Sequence, residues 1–286
     1  MPRPAKEPRI DRFLAGAVPG ISVERARALI AEGRVRIRGK VVKAARKLWG
    51  GEEIELELPE VRAASRVEGP ALSILFEDER FVVIDKPSKL VVEPEPGQIS
   101  VVELLASQRT GFSVAGEALP GVAHRIDKDT TGCLILAKTD EALSRLKEAF
   151  ESKGVEKTYL AIVLGSPEQS ARLEGPYGRD PENPRKYTTR VESARRATLS
   201  FKVLSRAGDL SLLEVRLETG RTHQIRVQLS EAGFPLIGDP VYGTRESREH
   251  ELAAKIGRIA LHAWKLKIPA LGIDVEAKAP FELRVE

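Results

Sequence analysis

Residues 123–138, AHRIDKDTTGCLILAK, place His124, Arg125, Asp127, Lys128 and Asp129 just ahead of an unbroken apolar run from Cys133 to Ala137. The run reads as a buried strand and the polar letters as a turn fixed at its end, where catalytic groups commonly sit. A carboxylate beside such an apolar wall can act as nucleophile or base if a cation holds it in its charged form. Asp127 is the candidate carboxylate. The cation is either Arg125, two residues away, or an arginine delivered from another element. A plainer reading makes the same letters a surface turn stabilised by Asp and Thr side chains. Asp127-Lys128-Asp129 also has the spacing of a two-carboxylate metal site, but no further His or carboxylate cluster accompanies it. Glycine-rich G-x-G-x-x-G and P-loop motifs are absent.

The elements that must hold this turn are legible from patterning. ILFEDERFVVIDKP gives two strand-like clusters around a charged turn at Glu77–Arg80. Residues 139–154 predict a helix, with Thr139 as N-cap, Asp140 and Glu141 at its positive end and Gly154 as its stop. Its apolar face is Ala142, Leu143, Leu146, Ala149 and Phe150. KTYLAIVLG predicts a strand, and LLEVRLE alternates Leu213, Val215 and Leu217 against charges. THQIRVQLSEAG predicts a helix capped by Thr222, stopped by Gly233 and apolar at Ile225, Leu229 and Ala232. Strands and helices interleave without regular βαβ repeats, which argues for an α+β fold.

The chain of 286 residues is long enough for one large and one small domain. Its 42% hydrophobic and 31% charged residues are those of a water-soluble globular protein. No apolar stretch reaches membrane-spanning length, and MPRPAKEPRIDR has no apolar core of a secretion signal. A single cysteine, Cys133, excludes an internal disulfide and a Cys-rich zinc site. It reads as a small buried hydrophobe, and the chain as cytoplasmic.

The formal net charge is +4, and residues 1–69 carry 15 Lys and Arg against 10 Asp and Glu, so the whole excess lies in the N-terminal quarter. Residues 21–50 hold nine basic groups against two acids. Such a patch suits a polyanion, most often a nucleic acid. Within it, Ser22 is placed to cap a helix with Val23, Ala26, Leu29 and Ile30 on its apolar face and Gly33 at its end. Arg25 and Arg27 lie off that face. VRIRGK alternates Val35 and Ile37 against Arg36 and Arg38, Gly39-Lys40 reads as a turn, and EIELEL turns Ile54, Leu56 and Leu58 inward until Pro59. Residues 61–70 read as a linker.

Two resemblances organise these pieces. ISVERARALIAEGRVRIRGKVV with GGEEIELELP resembles the small RNA-binding domain first described in ribosomal small-subunit protein four, over residues 10–60. HRIDKDTTGCLILAKT, EKTYLAIV, GRTHQIRVQL, GFPLIGDPVYG and LHAWKLKIP, in that order over residues 73–286, resemble the RluA-type family of RNA pseudouridine synthases. The resemblance implies an α+β catalytic domain, with a central, mostly antiparallel mixed sheet flanked by helices and a central cleft. It implies domain bounds of 1–68 and 69–286. It further implies isomerisation of uridine in RNA without metal or cofactor: the N1–C1′ bond breaks, the base turns, and a C5–C1′ bond forms. Asp127 matches the catalytic aspartate; attack on the sugar and proton abstraction there both remain open.

Tyr159 matches the tyrosine that stacks on the target base and is a candidate for proton transfer at C5. Arg221 matches the arginine that pairs with the aspartate, and Arg125 the residue that handles flipped-out RNA. His124, Thr222 and His223 are candidate substrate contacts, the last two with the free N–H groups of their helix. Arg25, Arg27, Arg36, Arg38 and Lys40 are the candidate phosphate contacts of the small domain. Arg38, Lys89, Glu93, Thr131 and Gln228 stand where the families commonly have Asn, Gly, His, Ser and His. The expected substrate is large-subunit rRNA, with tRNA as the alternative, and the expected state is a monomer with no membrane partner. A non-catalytic RNA- or ribosome-binding protein is the competing reading; retention of Asp127, Tyr159 and Arg221 speaks against it.

Overall fold

The computed structural model describes residues 8–18, 21, 23–58, 67–115 and 119–281. The N-terminal elements are α1 (Ile10–Ala17), α2 (Val23–Ala31), β1 (Val35–Ile37), β2 (Lys40–Val41) and β3 (Ile54–Leu56). The strands form an antiparallel sheet in the order β2-β1-β3. Ile10, Leu14, Ala26, Leu29, Ile30, Val35 and Ile37 make its core, as the periodicity of α2 and the alternation of β1 require. Gly33, at φ 74°, follows α2 in the left-handed conformation that ends many helices. Ser22, expected as the cap of α2, and Pro59 lie outside the described residues.

Two expectations for this module need correction. The β1–β2 turn is Arg38-Gly39, not Gly39-Lys40: both residues have positive φ, 51° and 71°, and Lys40 already pairs with Ile37. A two-residue hairpin turn with two positive φ angles suits Asn-Gly best, so Arg38 occupies a place where its side chain strains the backbone. Leu58 lies beyond the end of β3 and is 56% exposed, not inward-facing.

The larger part comprises β4 (Ser73–Glu77), β5 (Phe81–Lys86), α3 (Val101–Gln108), β6 (Thr131–Ala137), α4 (Asp140–Glu151), β7 (Glu156–Leu164), β8 (Ser170–Pro176), β9 (Gly178–Arg179) and β10 (Tyr187–Thr188). It continues with β11 (Arg196–Ala207), β12 (Leu210–Leu217), α5 (Gln224–Glu231), α6 (Arg245–Glu249), α7 (Glu251–Ile256), β13 (Leu261–Ile268) and β14 (Ile273–Glu276). The main sheet runs β4-β5-β6-β13-β7-β12-β11-β8, with β14 beside β13. Every pairing in it is antiparallel except β6–β13, which is parallel over His262 opposite Thr131 and Ala263 opposite Gly132.

Both faces of this sheet are covered, which explains the unbroken apolar run in β6. Leu134 and Leu136 pack with α3 and α5 on one face, while Cys133, Ile135 and Ala137 pack with α4 on the other. Thr139 caps α4 by accepting from the Ala142 N–H at 3.1 Å. The helix ends at Glu151, and the left-handed residue after it is Lys153 at φ 59°, so Gly154 is not the stop.

Helix α3, which periodicity did not reveal, carries a reciprocal cap between Ser100 and Glu103. It also fixes the end of the expected linker. The Val67 N–H donates to Ser107 Oγ at 2.8 Å, and the Gln108 side chain holds Pro70 O and Leu72 N. Residues 67–70 therefore belong to the folded body; 61–66 lie outside the described residues.

The parallel β6–β13 junction requires Gly132. Its φ is 109°, and a Cβ there would stand 2.2 Å from the Ala263 carbonyl oxygen. That carbonyl is sheet backbone and has no room to retreat. Gly132→Ala should therefore lower stability by about 3 kcal/mol or more, combining backbone strain with a steric clash. Urea unfolding of parent and variant checks this, and a loss under about 1 kcal/mol would show that the junction is not rigid.

Candidate active site

One row across the main sheet sets the site. Gly132 on β6 stands opposite Ala263 on β13, Ala263 opposite Tyr159 on β7, and Tyr159 opposite Val215 on β12. The register of four strands thus fixes the tyrosine relative to the turn that precedes β6. In that turn the Thr130 N–H donates to the Asp127 carbonyl at 3.0 Å. The Thr131 hydroxyl lies 2.8 Å from His262 Nδ1, and His262 Nε2 lies 3.3 Å from the Ala277 carbonyl. With Nε2–H donating to that carbonyl, Nδ1 accepts from Thr131. Burial pushes His262 down to about 4, so the ring is neutral and this arrangement is its resting one. The hydroxyl that Thr131 shares with serine is what this contact uses.

The cation beside Asp127 is Arg226. Its Nη1 donates to Asp127 Oδ2 at 3.0 Å, while Nε and Nη2 grip both oxygens of Asp239 at 2.8 and 2.9 Å. Arg226 is buried in α5 and Asp239 is fully enclosed, whereas the Asp127 side chain keeps 24% of its surface open. Burial opposes the charge on Asp239, but the Arg226 hydrogen bonds and the Tyr242 and Val241 N–H groups outweigh it and hold its carboxyl below the usual range. Asp239 therefore orients the guanidinium, and the guanidinium presents one free donor to Asp127.

This corrects the expectation for Arg221. Helix α5 begins at Gln224, and His223 before it is left-handed at φ 58°, so the chain turns sharply there. Arg221 falls outside that turn, is exposed, and donates through Nε to the Arg196 carbonyl at 3.2 Å. Thr222 is not the cap of α5; its carbonyl accepts from the Tyr177 hydroxyl at 2.6 Å. The signal for Arg226 was its place beside Ile225 and one turn before Leu229 and Ser230, on a helix whose residues 224–229 are all buried. Gln224 and Gln228 bury their amides against carbonyls of β11 and β8, which accounts for amides there.

A cavity of about 410 Å³ opens beside Asp127, lined among others by Arg125, Tyr159, Lys157, Arg221, His223 and Arg226. Its size suits a single small ligand or one extruded nucleotide. Burial first, and the Asp127 charge second, push the Tyr159 phenol well above its ordinary value, so it stays protonated. Burial likewise lowers Lys157, whose ammonium sits in the wall of the cavity and which the sequence reading passed over. His223 Nδ1 lies 3.0 Å from the Tyr242 hydroxyl. Arg125 is largely exposed at the rim, 4.0 Å from Glu93.

His124 lines the cavity with a ring that is already engaged. Its Nε2 accepts from the Ile135 N–H at 3.1 Å and its ring stacks on Phe150 at 4.6 Å. Burial pushes it down to about 3, so it remains an acceptor that ties the turn to β6. In the small module, Arg27 is committed to buried Asp11 at 2.8 Å, and Arg25 lies 3.8 Å from Glu32 with little exposure. Arg36, Arg38 and Lys40 are exposed and make no ion pair with a described residue. Among the described residues, no group of three or more His, Cys, Asp or Glu side chains could hold a metal ion, and no helix is long and apolar enough to cross a membrane.

The turn is also held from beneath. Lys86, fully buried at the end of β5, donates to the carbonyls of Pro87, Leu90 and Lys128 at 2.8–2.9 Å. Burial pulls its ammonium down to about 8, against the pull of Asp129 and Asp127.

Comparison with known proteins adds to this geometry. Residues 80–231 match the sequence model of the RNA pseudouridylate synthase family, and residues 8–54 that of the S4 domain. An uncharacterized RNA pseudouridine synthase of Chloroflexus aurantiacus is 38% identical, over 95% of this chain and 86% of its own length. Ribosomal large subunit pseudouridine synthase D of Nitrosomonas europaea is 36% identical, over 91% of this chain and 76% of its own. The solved structure of human RNA Pseudouridylate Synthase Domain Containing 1 superposes with a TM-score of 0.62 at 26% identity, covering 75% of this chain and 86% of that one.

Lys86→Met leaves three carbonyls without their donor, so it should cost about 3 kcal/mol at pH 7. The folded chain binds the Lys86 proton less tightly than the unfolded chain, whose value is the ordinary 10.5. The parent must therefore gain stability as pH rises from about 8 to 10.5, and the variant must lack that gain. Urea midpoints at pH 7, 8, 9 and 10 test both statements; a gap between the proteins that narrows over this range contradicts them.

Proposed function

Because the chain belongs to the family of RNA pseudouridine synthases and is itself an enzyme of that kind, we propose that it acts on uridines of large-subunit rRNA with Asp127 as its catalytic group. The observation that carries this reading is the half-open Asp127 carboxylate, held through one oxygen by Arg226 at the edge of a nucleotide-sized cavity that Tyr159 also lines. The other oxygen takes no hydrogen bond from a described residue, which leaves it directed to the substrate. Fixed through one oxygen by Arg226, the carboxylate can attack C1′ of the target sugar or remove a proton from that sugar.

In either route the uracil leaves as an anion. Tyr159, protonated and buried on the cavity wall, stacks on the base, and cationic Lys157 and Arg221 offset the charge that the base carries while detached. Arg125, exposed at the rim, takes the place of the uridine in the stack or holds the strand from which it came. The rRNA assignment rests on the relatives named for the ribosomal large subunit and on the exposed Arg36, Arg38 and Lys40 of the S4 domain. A ribosomal substrate places the reaction in the cytoplasm. The division of labour puts chain-tracking cations in residues 1–68 and the chemistry in residues 69–286.

The test joins a cellular and a biochemical measurement. Mapping pseudouridine in large-subunit rRNA from a strain lacking this protein should show sites that disappear, and the parent gene should restore them. Asp127→Asn should bind rRNA like the parent and fail to restore them, with turnover down at least about a thousandfold. Arg226→Met should lose about a hundredfold or more in single-turnover rate, and Arg221→Met about tenfold or less. If Asp127→Asn keeps a rate within about tenfold of the parent, the catalytic assignment is wrong. Sites lost from tRNA alone would overturn the substrate.

A further inference from the structure

Lys89 has φ 68°, a left-handed conformation that costs a side-chain-bearing residue free energy and that glycine adopts without strain. It lies on the turn after β5 whose carbonyls Lys86 holds in place. The exposed side chain makes no ion pair with a described residue. It points to a hollow of about 490 Å³, distinct from the cavity beside Asp127 and lined also by Asp129, Arg248, His250 and Arg258. Arg248 is exposed and likewise without an ion pair among the described residues. Of the acids there, Glu249 is held by Arg245 at 2.9 Å, and Asp129 faces the positive charges of Lys86 and Arg258. His250 is turned to Asp209 at 3.5 Å and accepts from the Leu252 N–H. The hollow thus sets Lys89, Arg248 and Arg258 against Asp129 and Glu249, and Lys89 and Arg248, the latter also acting on the charge of Glu246, come from elements more than 150 residues apart in the chain.

The hollow is also continuous with the catalytic turn. A third depression of about 210 Å³ carries both Asp127 and Asp129 in its wall. Asp127 therefore borders the first and third depressions and Asp129 the third and second, with only Lys128 between them. Two residues of chain span at most about 7 Å, so the two residues that border the depressions stand no farther apart than neighbouring nucleotides. A free anion would need no such path; a strand threaded through the Asp127 cavity would.

Resting on the reading of this chain as an rRNA-modifying enzyme, we propose that the hollow between Lys89 and Arg248 binds a backbone phosphodiester of the RNA strand next to the extruded uridine. The strained backbone at Lys89 is then kept because it aims an ammonium at that phosphate. Stability and binding make opposite demands at one residue, and this makes the proposal testable.

The experiment uses the full chain and an unmodified large-subunit rRNA transcript. Lys89→Gly, Arg248→Ala and the double variant are compared with the parent by salt titration of RNA binding and by thermal unfolding. Arg145→Ala, on the outer face of α4, controls for the loss of any surface cation. Each single variant should flatten the slope of log K against log salt by about 0.7 and weaken binding about fivefold at 0.1 M salt. The double variant should flatten the slope by about the same 0.7, because one phosphate carries one charge, and the control should leave it unchanged, while KM for the transcript rises with Kd. Lys89→Gly should unfold at the same temperature as the parent or higher, so weaker binding cannot be charged to misfolding. An unchanged slope in both single variants overturns the proposal, as does an equal change in Arg145→Ala, which would show that only net charge is felt. A transcript that the parent binds but never isomerises would count against the enzymatic reading and leave these slopes to be judged separately.

Discussion

The guanidinium of Arg226 is the point on which this structure turns. It is buried, and a buried charge is tolerable only when it is paired and hydrogen-bonded. Asp239 meets two of the guanidinium donors with two oxygens, and Asp127 meets another with one. The three side chains come from separate parts of the chain: the turn before β6, the body of α5, and the loop after it. Any shift of α5 against the sheet would strip partners from a buried cation, so the arrangement resists small displacements. Asp239 is locked, with N–H groups of its own loop on Oδ1, whereas one oxygen of Asp127 takes no hydrogen bond from a described residue. The asymmetry separates a structural carboxylate from a reactive one, using the same residue type on the two sides of one arginine.

Much of the fold could be read from the chain because it depends on local periodicity. The alternation in β1, the cap at Thr139 and the apolar face of α4 report their own environment. The run CLILA announced a strand buried on two faces, and α3 and α4 supply those faces. Leu58 and Gly154 misled for a related reason: pattern continues past the point where pairing stops, and the stop depends on neighbours distant in sequence. Lys153 bears the left-handed turn that a glycine beside it would have borne more easily.

The site was legible in part. The motif containing Asp127 was evident, and so was a need for an arginine, but spacing alone could not choose between two arginines five residues apart. The left-handed His223 decides it, by turning Arg221 to the Arg196 carbonyl and bringing Arg226 under the turn. His124 meets the cavity with a ring whose Nε2 lone pair the backbone N–H of Ile135 already takes. Arg27 spends its Nε on buried Asp11 while half of its side chain stays exposed, and Arg25 lies mostly buried near Glu32. In each case the missing information was the identity of a partner, which composition does not carry. The competing reading, a protein that binds RNA without acting on it, would need no half-exposed carboxylate beside a protonated tyrosine.

The place of β13 has a consequence in time. This strand, residues 261–268, lies between β6 and β7, in the middle of the sheet, although it is made long after both. Until the ribosome has released it, β6 and β7 have no partner between them, and the row from Gly132 to Tyr159 does not exist. Contacts separated by some 130 residues close slowly, because the intervening chain must first be ordered. A nascent chain can therefore present its S4 domain to RNA well before it can react with RNA. The row that holds Tyr159 is complete only when β13 has taken its place between β6 and β7.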